Sequence, residues 1–369
     1  RFGNIYAGDI DVGGITATSI TISGSSFPSS DANGNQWWGD TALDSLTSGT
    51  DNIAIGENAG TANLSGGTNV WIGTQSGESS TTASGNVGIG HRTLSLNVSG
   101  ASNVAIGQDA LRNTTSIGSV AVGYNAARLS TGSSYGVTIG YLSTENNTSS
   151  PFAVSIGAYT TRYLNGSAQG RTVSVGHSAN GSITTGGNST GIGFSANSLA
   201  TTASSNVAVG SYALEKNTAS ENTAVGYIAG YSNVTGQYLT ALGYKAGSAQ
   251  AGVTDDSNTW VGHSAGLNAN GSATGRNVAV GHTALEQITT GSNNIAMGYS
   301  ALSSLTSGKN HTSLGSLSSE TITTADGTTA VGYLALQANT APSSVAIGSQ
   351  AMRFNVAGIQ NVAVGFQAG

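Results

Sequence analysis

The sequence predicts an all-β protein, a parallel β-solenoid (β-roll) of about twenty coils with about 17 residues in each. Three observations predict it. A short phrase returns at near-constant spacing, the phrase alternates with the period of a strand around a glycine, and neither face of that alternation carries charge. The phrase reads NIAIGENAG at 52–60. It returns as NVAIGQDAL at 103–111, NTAVGYIAG at 222–230, NIAMGYSAL at 294–302 and NVAVGFQAG at 361–369.

Internal repeats decide the architecture before any single motif does. Aligned on the glycine that closes the strand, the anchors are Gly39, Gly56, Gly73, Gly90, Gly107, Gly123, Gly140, Gly157, Gly176, Gly193, Gly210, Gly226, Gly243, Gly262, Gly281, Gly298, Gly315, Gly332, Gly348 and Gly365. Their spacing is 16 to 19 residues, most often 17. The position before the anchor is large and apolar in every repeat. The position two residues earlier is β-branched in all but one, where Gln36 stands. Between them sits Ala, Gly, Ser or Thr, except at Trp37, Trp71 and Trp260. Alternation with β-branched residues is a strand signal. Successive side chains of a strand point to opposite faces, so each strand has a bulky face and a small face. Ile53, Ile55, Ile106, Val225, Val280 and Val364 are accordingly expected in the apolar core of the coils.

A period near 17 is too short for helical repeats or propeller blades, which run to roughly 33–50 residues. It suits one coil with two short strands and two turns. The anchors, Gly56, Gly107, Gly226, Gly298 and Gly365 among them, are expected to turn the corners with positive φ. Asn opens the strand in eleven repeats, including Asn52, Asn103, Asn206 and Asn294, and stacked amides are expected to form a ladder. At a strand spacing of about 4.8 Å, twenty coils make a rod on the order of 95 Å long. One coil alone buries little against the entropy of ordering its chain. Several chains are therefore expected to pack together, through the small Ala/Ser/Gly face.

Residues 1–34 lack the phrase. The stretch GDIDVGGITATSITISGSS (8–26) reads as short strands of a neck or adaptor, with SSFPSSDANGN (25–35) as a hinge. Residues 35–369 form the repeat shaft, which stops at Gly369 within a unit, so the natural protein is expected to continue.

Composition narrows the function. Charged residues make up 8% of the chain, and the net charge of −6 rests on only 11 Lys+Arg. That leaves no basic stripe for nucleic acid. No apolar run approaches the ~18 residues of a membrane span. The absence of cysteine excludes a disulfide framework and Cys metal sites.

The phrase N-[V/I/T]-A-[I/V]-G-x-x-A, repeated over about residues 35–369, resembles the head repeats of YadA-like trimeric autotransporter adhesins. It is still more similar to related repeats in bacteriophage tail fibres, and DVGGITATSI (11–20) resembles phage-fibre linking segments. The resemblance implies a left-handed β-roll, a side-by-side homotrimer, other virion tail or fibre proteins as neighbours, and contact with a host-surface glycan or protein. It implies a place on the virion tail fibre. The other readings are a bacterial surface adhesin head and a glycan-degrading tailspike.

The motifs that suggest chemistry have plainer explanations. GHSAG at 262–266 fits a nucleophile elbow, yet the same columns read GENAG, GYIAG and GYKAG elsewhere, and no helix-forming segment follows. Glycan hydrolysis needs two carboxylates about 5–9.5 Å apart, and the one adjacent acidic pair, Asp255 and Asp256, lies in a loop insertion. No catalysis, metal or cofactor is expected. The column directly after the anchor is more informative. It carries His91, Tyr124, Tyr141, His177, Tyr227, Tyr244, His263, His282, Tyr299 and Tyr333, with Phe194 and Phe366 in the same column. These rings are expected to stack over one another at a corner or chain–chain seam, or to contact a glycan.

Overall fold

The computed structural model describes residues 21–22, 25–26, 29–131, 134–148, 152–163, 171–250, 257–269, 275–356 and 358–369. The segment DVGGITATSI and the pair Asp255–Asp256 lie outside them. Ahead of the repeats, Thr21–Ile22 pairs antiparallel with Ser25–Ser26, and Ser29–Ser30 pairs antiparallel with Gln36–Trp38. From Gln36–Trp38 onward the chain is a parallel β-solenoid.

Twenty three-residue strands, one before each anchor glycine, stack from Gln36–Trp38 to Val362–Val364. Each pairs in parallel with the strand of the next coil, in register: Ile53, Ala54 and Ile55 lie over Val70, Trp71 and Ile72, and so on to Val345–Ile347 over Val362–Val364. Nineteen such steps at about 4.8 Å give a rod of roughly 90 Å. The anchor has to be glycine for two reasons. Its φ runs from 113° at Gly107 to 142° at Gly298, a region closed to side chains. A Cβ at Gly226 would also lie 2.3 Å from the carbonyl oxygen of Gly243 in the next coil.

Only one strand forms in most coils, not the two expected; Asn113–Thr114 with Leu129–Ser130 is the one second-wall pair among the described residues. Elsewhere the return wall is a run of turns. The second and fourth residues after the anchor sit in the left-handed region, as at Asn58 (φ 57°) and Gly60 (φ 60°). This alternation aims successive N–H groups along the rod in opposite directions. Asn58 N donates to Asp40 O of the preceding coil and Gly60 N to Ser76 O of the following one. The wall thus keeps its inter-coil hydrogen bonds without extended chain.

The strand faces are the reverse of the expectation. The small middle residue points inward: Ala54, Ala105, Ala208 and Ala224 are fully buried. The bulky flanking residues point out. Ile53, Ile55, Ile106 and Val225 are each 36–38% exposed, Val364 is 67% exposed at the last coil, and Val280 is half-buried. They are not the core of the chain. The reason is the width of the coil, whose turn wall fills the interior from the other side with the Ala column of Ala59 and Ala110 and with Leu94, Leu111, Leu214, Leu285 and Leu302. Only a small strand residue leaves room for them. The small face therefore cannot be where chains meet.

The two fully buried tryptophans confirm this logic of volume. Trp71 and Trp260 occupy the small column. Around each, the leucine position is glycine in its own coil and in the coil before. A Cβ at Gly60 or Gly77 would come within 2.7 Å of the Trp71 ring, and one at Gly247 or Gly266 within 2.5 Å of the Trp260 ring.

Candidate functional site: the ring ladder and its flank

The expected amide ladder is present, and it runs inside the coils. Asn52, Asn69, Asn86 and Asn103 each donate Nδ2 to the Oδ1 of the Asn one coil earlier at 2.9–3.2 Å. Their backbone N–H groups donate to the same oxygens. The first member, Asn35, donates to Asp31 Oδ2 at 2.8 Å, which helps hold that carboxyl below its ordinary range. Asn258, Asn277 and Asn294 continue the pattern farther along, and His311 takes the next place.

On the outside, the column after the anchor places ring over ring. Tyr124 and Tyr141 stack with centroids 5.4 Å apart; Tyr227, Tyr244, His263, His282 and Tyr299 follow one another at 4.8–5.6 Å with interplanar angles of 11–21°. Between these runs the anchor is followed by Ala158 and Ser211, where the column lacks a ring. Tyr159 and Tyr212, one residue later, swing into the gaps. They join Tyr141, His177, Phe194 and Tyr227 through edge contacts at 5.1–6.3 Å. The ladder is therefore continuous from Tyr124 to Tyr299. Tyr159 and Tyr212 were missed because the alignment scored one column, although an aromatic one step late in a gapped repeat was visible.

Nine of the twelve rings named in this column join the ladder, Phe194 among them, and Phe366 in the last coil has no ring beside it at Ser349. His91 and Tyr333 stand outside it, because the coils beside them carry Thr74, Gln108, Ser316 and Ser349 in the same column. In the stacked runs the neighbours cover the ring faces, so the edges meet solvent. No group of three or more His, Cys, Asp or Glu among the described residues could hold a metal ion.

The GHSAG motif dissolves into packing. Gly262 turns the corner at φ 134°, Ala265 is interior, Gly266 makes room for Trp260, and Ser264 is a turn residue at φ 55°. Two of the carboxylates beside the ladder are each held between arginines. Asp109 lies 3.0 Å from Arg92 and 3.7 Å from Arg112, and Glu145 lies 3.3 Å from Arg128 and 3.0 Å from Arg162. Such pairing suits charge neutralisation better than proton transfer. No helix is long and apolar enough to cross a membrane among the described residues.

Beside the ladder, two consecutive coils carry small residues where their neighbours carry large ones. Ser178, Gly181 and Ser182, then Ser195 and Ser198, floor a notch of about 420 Å³ with Tyr159 and Arg162 on one side and Leu199 at its edge. Comparison with protein-family models, curated proteins and solved structures returns no match.

Proposed function

We propose that the chain is the shaft of an extracellular fibre, a bacteriophage tail fibre that takes part in attachment to the host surface. The observation that carries this reading is the unbroken series of in-register parallel pairings over twenty coils, which makes a stiff rod whose strength comes from backbone hydrogen bonds. The work of such a rod is mechanical, and it asks for no catalysis. Three chains lie side by side in this reading. The surface that suits their contact is the bulky strand face, where Ile53, Ile55, Ile89, Ile106, Ile139 and Ile156 stand half in water. A contiguous apolar face of this length marks an interaction surface.

The test has two parts. Mass photometry of the purified chain is expected to give three times the 36.4 kDa chain mass, and immunogold labelling is expected to mark the tail fibres of intact virions. A stable monomer would remove the side-by-side arrangement; label confined to a bacterial surface would remove the virion.

A further inference from the structure

We propose that the notch formed by Tyr159, Arg162, Ser178, Ser182, Ser195 and Ser198 binds an acidic pyranose, a sugar ring that carries a carboxylate. It stands on its own geometry and does not depend on the rod being a phage fibre.

The shape comes first. In the column two after the anchor, Tyr159 and Tyr212 bracket Ser178 and Ser195. In the column five after it, Arg162 and Glu215 bracket Gly181 and Ser198. Both gaps span the same two coils. The backbones of the bracketing coils are three spacings apart, roughly 14 Å, which leaves a gap the size of one sugar ring.

The chemistry of the lining follows. Sugars present hydroxyls for hydrogen bonds and a C–H face for an aromatic ring. The floor supplies four serines, with the Ser178 hydroxyl 3.0 Å from His177 Nδ1. The wall supplies Tyr159, whose ring is turned 67–78° from its ladder neighbours.

Charge selects the acid. Arg162 lies over Tyr159 at 5.8 Å and over Tyr163 at 5.0 Å, and its Nε donates to Glu145 at 3.0 Å. The guanidinium is thus held before any ligand arrives, with four further N–H donors. Glu145 also pairs with Arg128, so the Arg128–Glu145–Arg162 group keeps one surplus positive charge at the notch. The opposite wall adds one charge of each sign, Glu215 and Lys216, and Glu215 is engaged by the Tyr231 hydroxyl one coil farther on, so the surplus stays positive. A fixed fork with a net positive charge is the usual recognition element for a carboxylate.

The test titrates the full chain with trigalacturonate and with neutral galactotriose, by calorimetry and by chemical-shift change. The acidic sugar is expected to bind about tenfold more tightly, as a charge-assisted hydrogen bond of about 1.5–3 kcal/mol allows. Ser182→Tyr fills the notch with a residue that the same column carries at Tyr163, so folding is preserved; it should abolish binding while the melting temperature holds. Arg162→Gln should bring the acidic sugar to parity with the neutral one. No response of the unmodified chain at millimolar trigalacturonate overturns the proposal. So does equal affinity for both sugars, or binding that survives both substitutions.

Discussion

Two stretches of the rod share one backbone and differ in what fills it. From Ala208 to Leu302 two interior columns, the middle of the strand and the fourth residue after the anchor, are apolar or glycine: Leu214, Trp260, Leu285 and Leu302 are fully buried there. From Thr138 to Asn197 the same columns hold hydroxyls and amides. Ser143 meets Thr160 at 2.5 Å, Thr161 meets Ser174 at 2.7 Å, and Asn180 Nδ2 donates to Ser174 Oγ at 2.8 Å. Asn197 passes the chain on by donating to Asn180 Oδ1 at 2.9 Å. The turn geometry does not register the change, with φ of 51° and 52° at Asn180 and Asn197 and 51° at both Leu285 and Leu302. What sets the path is therefore common to both stretches, namely the anchor glycines and the inter-coil backbone bonds. The filling sets how tightly each coil is held.

The first way to break this comparison is to attack the shared part. Gly176→Ala in the polar stretch and Gly281→Ala in the apolar one place a Cβ 2.5 Å and 2.3 Å from the next coil's glycine oxygen, at φ of 126° and 138°. Forbidden φ costs about 1–3 kcal/mol, and the overlap with backbone about 1–3 more. Both variants should lose about 4 kcal/mol of local stability, read by hydrogen exchange at the flanking coils. A large loss in one stretch and none in the other would mean that the filling does set the path.

Attacking the filling should separate the two stretches. Leu285→Ala leaves a cavity and should cost about 3 kcal/mol. Thr161→Val removes one hydroxyl from a network in which Ser174 keeps Asn180 as a partner, and should cost about 1 kcal/mol. The polar stretch also buries Thr144 Oγ1, Thr172 Oγ1 and Asn197 Oδ1 without partners among the described residues, which weakens it further. Amide exchange is expected to be faster there in the unmodified chain. Equal costs for the two substitutions would show that the hydroxyl chain binds the coils as firmly as leucine does.

The exchange of tryptophan for leucine shows how much of this was legible in the sequence. Period, strand positions, anchor glycines, amide ladder and most of the ring column follow from repetition, because stacked coils put equivalent residues over one another. The direction of the strand faces does not follow. Alternation says that Ile53 and Ala54 face opposite ways and is silent on which way is in. That is decided by the far wall, and the far wall is written into the same phrase: GENAG and GTQSG flank Trp71, and GYKAG and GHSAG flank Trp260, whereas Leu285 and Leu302 accompany Ala279 and Ala296. Reading the columns in pairs would have turned the strand the right way. If volume is what counts, the double change Trp71→Ala, Gly77→Leu, which nearly conserves volume and breaks no hydrogen bond of the indole, should fold within about 1–2 kcal/mol of the original. Thermal denaturation checks it, and a loss as large as that of Leu285→Ala would refute volume matching.

The smallest expected effect tests the ladder where it changes chemistry. His311 occupies the Asn column, fully buried. Its Nε2 lies 2.6 Å from Ala325 O, which can only accept, so Nε2 carries the proton. Nδ1 then accepts from the Thr328 hydroxyl at 2.6 Å and from the Thr328 N–H at 3.3 Å. A second proton on Nδ1 would face that N–H, and burial, the larger cause, lowers the pKa from its ordinary 6.5 against the opposing pull of the Ala325 bond and Asp326. Because the folded value is the lower one, the unfolded chain binds the proton first. The contribution of His311 is thus fully present above about pH 6.5 and is lost as the pH falls below that towards the folded pKa. His311→Asn restores the ladder residue of the neighbouring Asn294 and removes the titration. Melting temperatures measured between pH 7.5 and 4.5 should fall more steeply for the original chain than for the variant, and parallel curves would show that this imidazole is no more costly to protonate in the rod than in water.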